Sequence, residues 1–470
     1  MNALHSARLA ETFQRALGDI LARVAVLAPA STPPPTAIAV AYSGGLDSSA
    51  LLQLTHAAAS QQGLRLFAFH IHHGLSPNAD SWQAHCAATC ERLGITFEAR
   101  RIQLDTRSQS GTEEAARLLR YAALGALCRA HQVPLLLTAH HQDDQAETVL
   151  LQLLRGSGVA GLSGMDQSNH APDLLGDAQL LMGRPLLEVA RPTLEDFVRA
   201  QKISHIEDES NADQRYARNA LRHAVMPVIE GLFPGFAARF ARTAMHAQSA
   251  QRLLIDMAAQ DLALCLEGER LALSRLRQFG AERIDNLLRY WFGTRGVRMP
   301  STAWLQELRT QLLEAKADAQ LCVTHADCEL RRHRDYVTIC AKETIDPELV
   351  DPQQFAWQGE DVLHFPRFGG SLHFIATEEG VDAAWLQNQL LIIHYRSGGE
   401  RLKLAANRPT KSLKHLCQAL DIPSWERRTM IIVESASQIL YAAQIGMDCG
   451  AFSALDALDA PRIRLDWRAD

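Results

Sequence analysis

Ile38-Ala-Val-Ala-Tyr-Ser43-Gly-Gly-Leu-Asp47-Ser-Ser49 is the stretch that decides the fold. A short apolar strand runs into Ser-Gly-Gly, and an apolar helix follows with Leu51, Leu54 and Ala58 on one face. Adjacent glycines let the backbone approach a ligand closely, and the following helix N-terminus offers free N–H groups and a positive dipole end. Ser43, Gly44, Gly45, Leu46, Asp47 and Ser48 therefore read as a cradle for nucleotide phosphates. It is not a Walker loop, because no lysine follows the glycines. An aspartate in such a cradle repels phosphate unless a divalent cation lies between them, so Asp47 implies Mg²⁺. A plain strand-turn-helix with capping Ser and Asp accounts less well for two glycines in this setting.

Outward from this loop, strand and helix alternate. Strands are expected at 37–42, 64–71, 96–103 and 135–139, with helices reaching to about 61, around 82–92, at 112–131 and at 144–154. The fold class is therefore α/β, a parallel sheet with helices on both faces and ligands at the carboxyl ends of strands. Upstream, residues 1–30 read as an amphipathic helix and Ser31-Thr-Pro-Pro-Pro35 as a stiff spacer. The Gly-rich run Arg155–Gly164 reads as mobile and suited to closing over a ligand. From about 235 to 335 the chain has helical spacing and no convincing strand, which suggests a helical module. Beyond about 345, Pro347, Pro352 and short β-branched runs at Leu390–His394 and Met430–Val433 suggest a small α+β domain. At 470 residues, the expected division is 1–232, 233–345 and 346–470.

Composition fits a soluble globular chain, with 47% apolar and 21% charged residues. No apolar run reaches bilayer length, and the N-terminus lacks the basic-then-apolar order of a secretion signal, so a cytoplasmic location and no membrane are expected. Nine scattered cysteines form no C-x-x-C; Cys86 and Cys90 read as a buried reduced pair rather than a metal half-site with His85. The net charge of −6 argues against a generally basic, nucleic-acid-coated surface but not against local patches.

Several constellations carry chemistry. His140-His-Gln-Asp143-Asp144-Gln-Ala-Glu147 begins a helix just past a strand, where its carboxylates suit Mg²⁺ or a cationic substrate; helix capping explains only part of it. His70 and His72 share one side of a strand, but without a nearby cysteine or carboxylate a nucleotide-contacting turn or simple packing is favoured over zinc. Arg117, Arg120 and Tyr121 share a helix face, open between a solvated face and a phosphate or RNA contact. Arg215, Arg218 and Arg222 line another face, and an unpaired guanidinium row there suits phosphate. Between 396 and 428, eight Lys/Arg stand against three Asp/Glu, among them Arg396, Arg401, Lys403, Arg408, Lys411 and Lys414. Tyr395 and Trp425 lie within this basic run, a combination suited to RNA.

Ser43-Gly-Gly-Leu-Asp-Ser48 resembles the pyrophosphate loop of the N-type ATP pyrophosphatases. His70-Ile-His-His-Gly-Leu75, Thr138–Thr148, Leu154-Arg-Gly-Ser-Gly158, Arg184-Pro-Leu-Leu187, Asp208-Glu-Ser-Asn211, Tyr216-Ala-Arg-Asn219 and Arg396-Ser-Gly-Gly-Glu400 narrow this. Together they resemble the tRNA(Ile)-lysidine synthetase family over all but the first thirty or so residues. The resemblance implies ATP-dependent joining of L-lysine to C2 of the wobble cytidine in a CAU-anticodon tRNA(Ile), through an adenylated cytidine. It implies ATP on the 43–48 loop, Mg²⁺ on Asp47 and Asp143, lysine on Asp144 and Glu147, and catalytic roles for Asp47, Asp144, Glu147 and Arg218. Arg117, Arg222 and the C-terminal residues Arg396, Arg401, Lys403, Arg408, Lys411 and Lys414 are then expected to meet tRNA. The main rival is a related tRNA 2-thiolation enzyme, whose usual form needs paired cysteines. A non-catalytic tRNA-binding protein is a second rival. The sequence leaves open whether the chain forms a homodimer.

Overall fold

The computed structural model describes all residues except 1, 28–35, 73, 75, 104–111, 208–216, 316–320, 343–346, 379, 437, 451–460 and 470. The proline spacer, Arg215 and Tyr216 thus lie outside the described residues. The chain divides into two compact units, Met1–Met257 and Ala258–Asp470.

In the first unit the elements run α1 (Asn2–Leu27), β1 (Ala37–Ala41), α2 (Leu46–Gln62), β2 (Arg65–His72), α3 (Ala79–Leu93) and β3 (Thr96–Arg101). They continue as α4 (Thr112–Ala130), β4 (Leu135–Leu137), α5 (Gln142–Leu154), β5 (Ser168–His170) and β6 (Leu181–Gly183). The sheet order is β3-β2-β1-β4-β6-β5, parallel except for the edge strand β5. Strand β1 is central because both its faces are apolar. Ile38 and Val40 pack with α1 and α2, whereas Ala37 and Ala39 face Leu124 and Leu127 of α4.

The chain leaves β1 toward β2 and β3 on one side and returns to β4 and β6 on the other. Ala39 pairs with Leu136 and Val40 with Leu137, so the loops after β1 and β4 open into one crevice. That crevice is the topological switch point of the sheet, where such folds hold ligands. The expected parallel α/β architecture is present.

The first helix belongs to this core. Leu9, Phe13, Leu17 and Ile20 recur at helical spacing and are buried with Leu194 and Phe197 of the helix Arg191–Ala200. A Cβ added to Gly183 on β6 would lie 2.8 Å from Leu137 and 3.1 Å from Ile20, so a larger residue there would press on the seat of the helix.

The second unit corrects the expectation of a strand-free helical stretch. Leu266–Glu267, Arg270–Ala272, Cys322–Thr324, Cys328–His333 and Tyr336–Ala341 form a five-stranded antiparallel sheet, packed with the helices Ala281–Thr294 and Thr302–Glu314. The signal was hidden by an arginine on the inner face. Cys328, Leu330 and Arg332 alternate inward, and Arg332 is buried with its guanidinium donating to the carbonyls of Arg334 (3.0 Å) and Ala315 (2.8 Å). Ala315 ends the helix Thr302–Glu314, so this cation satisfies a helix C-terminus. The remainder is the expected α+β fold, with antiparallel sheets of five, four and two strands among the described residues and short helices around one core that includes Leu372, Ile393, Leu416 and Val433. Among the described residues no single helix is long and apolar enough to cross a membrane.

Truncating Phe13 to Ala empties a fully buried site between α1 and the sheet. It is expected to cost about 3–5 kcal/mol, read as a lower urea midpoint; an unchanged midpoint would show that α1 is not part of the cooperative core.

Candidate active site at the β1–β4 crevice

The loop after β1 is built to leave backbone donors free. Gly45 is the N-cap of α2 in an extended conformation with no side-chain cap, so the first N–H groups of the helix have no capping partner there. Gly44 has φ of +88°, and a Cβ on it would lie 2.5 Å from Ile206 and 2.8 Å from the sulfur of Cys86. Only glycine meets both conditions. Ser48 donates to the carbonyl of Gly45 (3.1 Å) and Ser49 to that of Gly44 (3.2 Å), which turns both hydroxyls inward to brace the loop. From the opposite side the Ile206 N–H donates to the Gly44 carbonyl at 2.9 Å. Nothing in the sequence marked Ile206 as a clamp.

The loop after β4 is organised by His141. Its ring accepts from the Asp144 N–H (3.4 Å), and Asp144 accepts in return from the His141 N–H (3.0 Å), a reciprocal cap on α5. The same buried ring lies 3.7 Å from Asp47, 3.7 Å from Asp143 and 3.3 Å from Asp144. Burial alone would depress the His141 pKa, but the nearby carboxylates of Asp47, Asp144 and Asp143 outweigh it and raise it. His141 is thus the joint between the two loops. Its neighbour His140, bonded to Thr138 at 2.9 Å, is driven the other way, down to about 3, chiefly by loss of hydration.

Glu147 and Asp144 are held by two arginines from the helical segment Ala217–Leu232 of the first unit. Glu147, almost fully buried, accepts from Arg218 Nε (2.7 Å), Arg222 Nε (2.6 Å) and Arg222 Nη2 (3.0 Å). Asp144 Oδ1 accepts from both guanidinium groups at 3.1 Å. Burial would raise the Asp144 pKa, yet His141, His140 and Arg218 together lower it. The expectation of an unpaired arginine row is therefore corrected for Arg218 and Arg222: they are committed to carboxylates that lie far away in sequence. Arg222 sits in a π-helical turn, Leu221–Val225, a widening of the helix common at functional sites.

Four carboxylates, Asp47, Asp143, Asp144 and Glu147, thus face two guanidinium groups and one histidine. The excess is negative. Among the described residues, Asp47 Oδ1 is buried without a hydrogen-bond partner, and Asp143 accepts from the Arg191 N–H (3.0 Å) besides its approach to His141. These two carboxylates fit a divalent cation. No group of three or more metal-ligating side chains is assembled among the described residues, but Mg²⁺ needs only one or two carboxylates when phosphate oxygens complete its shell.

The crevice is a cavity of about 590 Å³ that contains the loop residues Ser43, Gly45, Leu46, Asp47 and Ser48. Its walls add His70, His72, Trp82, Arg120, Tyr121, Arg191 and Arg222. His70 is bonded to the Tyr42 carbonyl at 2.9 Å and His72 to Asp80 at 3.1 Å. Arg117 and Arg120 lie 5.2 and 5.5 Å from the Tyr121 ring, so this face is a cation–π cluster at the cavity rim. Trp82 and Arg191 were not legible as site residues, because each stands alone in a helix whose pattern is otherwise ordinary.

In the second unit the basic run is sorted by the fold. Arg401, Arg408, Lys411 and Lys414 are exposed and Lys403 is half-buried. Arg396 instead pairs with Glu400 (3.4 Å), whose other oxygen takes the N–H groups of Ser397 (2.6 Å) and Gly398 (2.5 Å). The two aromatic side chains of the run are half-buried. Tyr395 packs on Phe368 and donates to its carbonyl, and Trp425 is covered by His333 and Arg331.

Three family profiles match in chain order: a PP-loop domain at residues 9–229, a TilS substrate binding domain at 271–338, and a TilS substrate C-terminal domain at 391–467. The tRNA(Ile)-lysidine synthase of Burkholderia pseudomallei is 40% identical over 93% of this chain and 94% of its own. That of Ralstonia nicotianae is 40% identical over 88% and 90%. Among solved structures, a TILS C-terminal domain aligns with 25% of this chain and 98% of its own, at 26% identity and a TM-score of 0.21. With three matched profiles in order and relatives this similar over nearly their whole length, the chain belongs to the tRNA(Ile)-lysidine synthase family.

Proposed function

We propose that this chain uses ATP to attach L-lysine to C2 of the wobble cytidine of a CAU-anticodon tRNA(Ile), releasing AMP and pyrophosphate. The observation that carries this reading is the junction of a phosphate cradle with an acidic helix start, where His141 lies 3.7 Å from Asp47 of the loop and 3.7 and 3.3 Å from Asp143 and Asp144 of the helix. In the first step the cytidine O2 attacks the α-phosphorus of ATP; an O–P bond forms and the bond to pyrophosphate breaks. In the second the lysine ε-amine attacks C2, the C2–O bond breaks, and AMP departs with that oxygen.

The α2 N-terminus and the backbone of Gly44 and Gly45 hold the departing pyrophosphate, with Ser43 and Ser48 bracing the loop. Asp47 and Asp143 would hold Mg²⁺, which supplies charge to the leaving phosphates. Asp144 and Glu147 receive the lysine ammonium, and one of them takes its proton before attack. Because their oxygens already accept from Arg218 and Arg222, the ammonium enters by exchanging with a guanidinium, which is freed toward the phosphate. Residues 1–232 carry this chemistry. Residues 233–345 and 346–470 grip the tRNA, with Arg396, Arg401, Lys403, Arg408, Lys411 and Lys414 as contacts, and Arg117 adds one from residues 1–232.

A thiolation reading is disfavoured by the chemistry of the cysteines nearest the loop. Burial pushes the Cys86 thiol up to about 12 and the Cys90 thiol up to about 11, far from the thiolate that sulfur transfer requires.

Incubation with ATP, labelled lysine and unmodified CAU-anticodon tRNA should move label into the RNA. Sulfur incorporation from a sulfur donor, with no lysine incorporation, would overturn the assignment. Asp47→Asn should reduce tRNA-dependent pyrophosphate release roughly 100–1000-fold with an unchanged melting curve; near-normal release would remove Asp47 from the reaction. Glu147→Ala leaves two half-buried guanidinium groups sharing Asp144 as their carboxylate partner and is expected to destabilise the first unit by about 1–3 kcal/mol, measured by denaturant unfolding. A smaller loss than that would mean the arginines find other partners.

A further inference from the structure

A second cavity, of about 360 Å³, lies in the first unit on the other side of α5. Gln145 of α5 contributes to its wall, while its neighbours Asp144 and Glu147 face the active site. The remaining walls come from α1, the segment around Arg184, and the helix that begins at Phe236.

Its charges are unusual. Arg15, Arg23, Arg184 and Arg252 line it together with Asp19, Asp166 and Glu188. Among the described residues none of these seven side chains forms an ion pair with another. Arg184 is more than nine-tenths buried, its Nη1 fixed by the Asp166 carbonyl (2.8 Å) and the Asn169 side chain (2.7 Å), and its buried Nε has no partner. Arg23 donates once, to the Ser168 carbonyl at 3.1 Å. Arg15 and Arg252 are exposed.

Arg15, Asp19 and Arg23 occupy one stripe of α1 at i, i+4 and i+8. Two arginines eight residues apart are about 12 Å apart along the axis, too far to share one small anion and well suited to successive phosphates of a strand. Guanidinium groups grip phosphate, and interspersed carboxylates accept from ribose hydroxyls or base amino groups. We infer that this cleft binds a stretch of RNA backbone next to the reacting nucleotide, with Arg15, Arg23 and Arg252 as phosphate contacts and Arg184 as the buried anchor. The inference rests on the tRNA-modifying reading of the active site and adds to it a grip contributed by α1. One helix diameter, about 10 Å, separates the cleft from the carboxylates that meet the lysine. A strand lying in the cleft is thereby held close to the nucleotide being modified.

The test uses the full chain carrying Arg15→Glu and Arg252→Glu, both at exposed positions. Binding of unmodified CAU-anticodon tRNA is measured by anisotropy across a salt series, and lysine transfer is measured beside it. The double variant should bind tRNA roughly tenfold more weakly, with a salt slope smaller by about 2, while KM for ATP stays unchanged. Unchanged tRNA affinity and slope would overturn the inference, as would a loss confined to inhibition by pyrophosphate, which would mark a small-anion site. Arg15→Lys with Arg252→Lys, which keeps the charge, should restore most of the affinity; failure to do so alongside a lowered melting temperature would assign the loss to folding. Failure of the wild-type chain to transfer lysine, with tRNA binding and its salt slope responding as expected, would count against the proposed reaction and not against the cleft.

Discussion

The parallel pairing of β1 with β4 is the constraint on which everything else in the first unit depends. Two hydrogen-bonded registers, Ala39 with Leu136 and Val40 with Leu137, bring the residues after each strand to the same edge of the sheet. The phosphate loop follows one strand and the acidic helix start follows the other. A shift of register by one residue would turn Ile38 and Val40 away from α1 and α2 and separate Asp47 from His141. Hydrophobic alternation on β1 therefore fixes catalytic geometry as well as stability.

Within that frame the site stores charge. Buried ion pairs add little net stability, because desolvation offsets most of the attraction. Glu147, Asp144, Arg218 and Arg222 are better understood as a preset arrangement of cations and anions than as a brace. His141 extends the arrangement to Asp47 and Asp143, so the loop that meets phosphate and the helix that meets the cation share one electrostatic network. A change in charge at either end is felt at the other.

The sequence made part of this legible. The loop at 43–48 was readable because two glycines interrupt a change from strand to helix periodicity, and the His140–Glu147 cluster because too many polar groups crowd one helix start. The pairing of Arg218 and Arg222 with Glu147 was not, since local spacing reports which residues share a face but not what that face meets. The sheet at 266–341 escaped for a related reason: Arg332 occupies an inward position that periodicity reserves for an apolar side chain, and only a helix C-terminus elsewhere in the fold makes it tolerable. For Tyr395 and Trp425 composition shows only that aromatic rings accompany the basic run, while their packing on Phe368, His333 and Arg331 comes from the fold.

The position of α1 has a consequence for how the chain reaches its native state. Leu17 and Ile20 are buried against partners that include Leu194 and Phe197, which follow only after all six strands of the sheet have been laid down. During synthesis this amphipathic helix therefore waits, its apolar stripe uncovered, until the last part of its socket leaves the ribosome. Contacts so distant in sequence slow folding and prolong exposure of sticky surface. The domain is thus expected to close late and as a whole, with its oldest helix among the last pieces to dock.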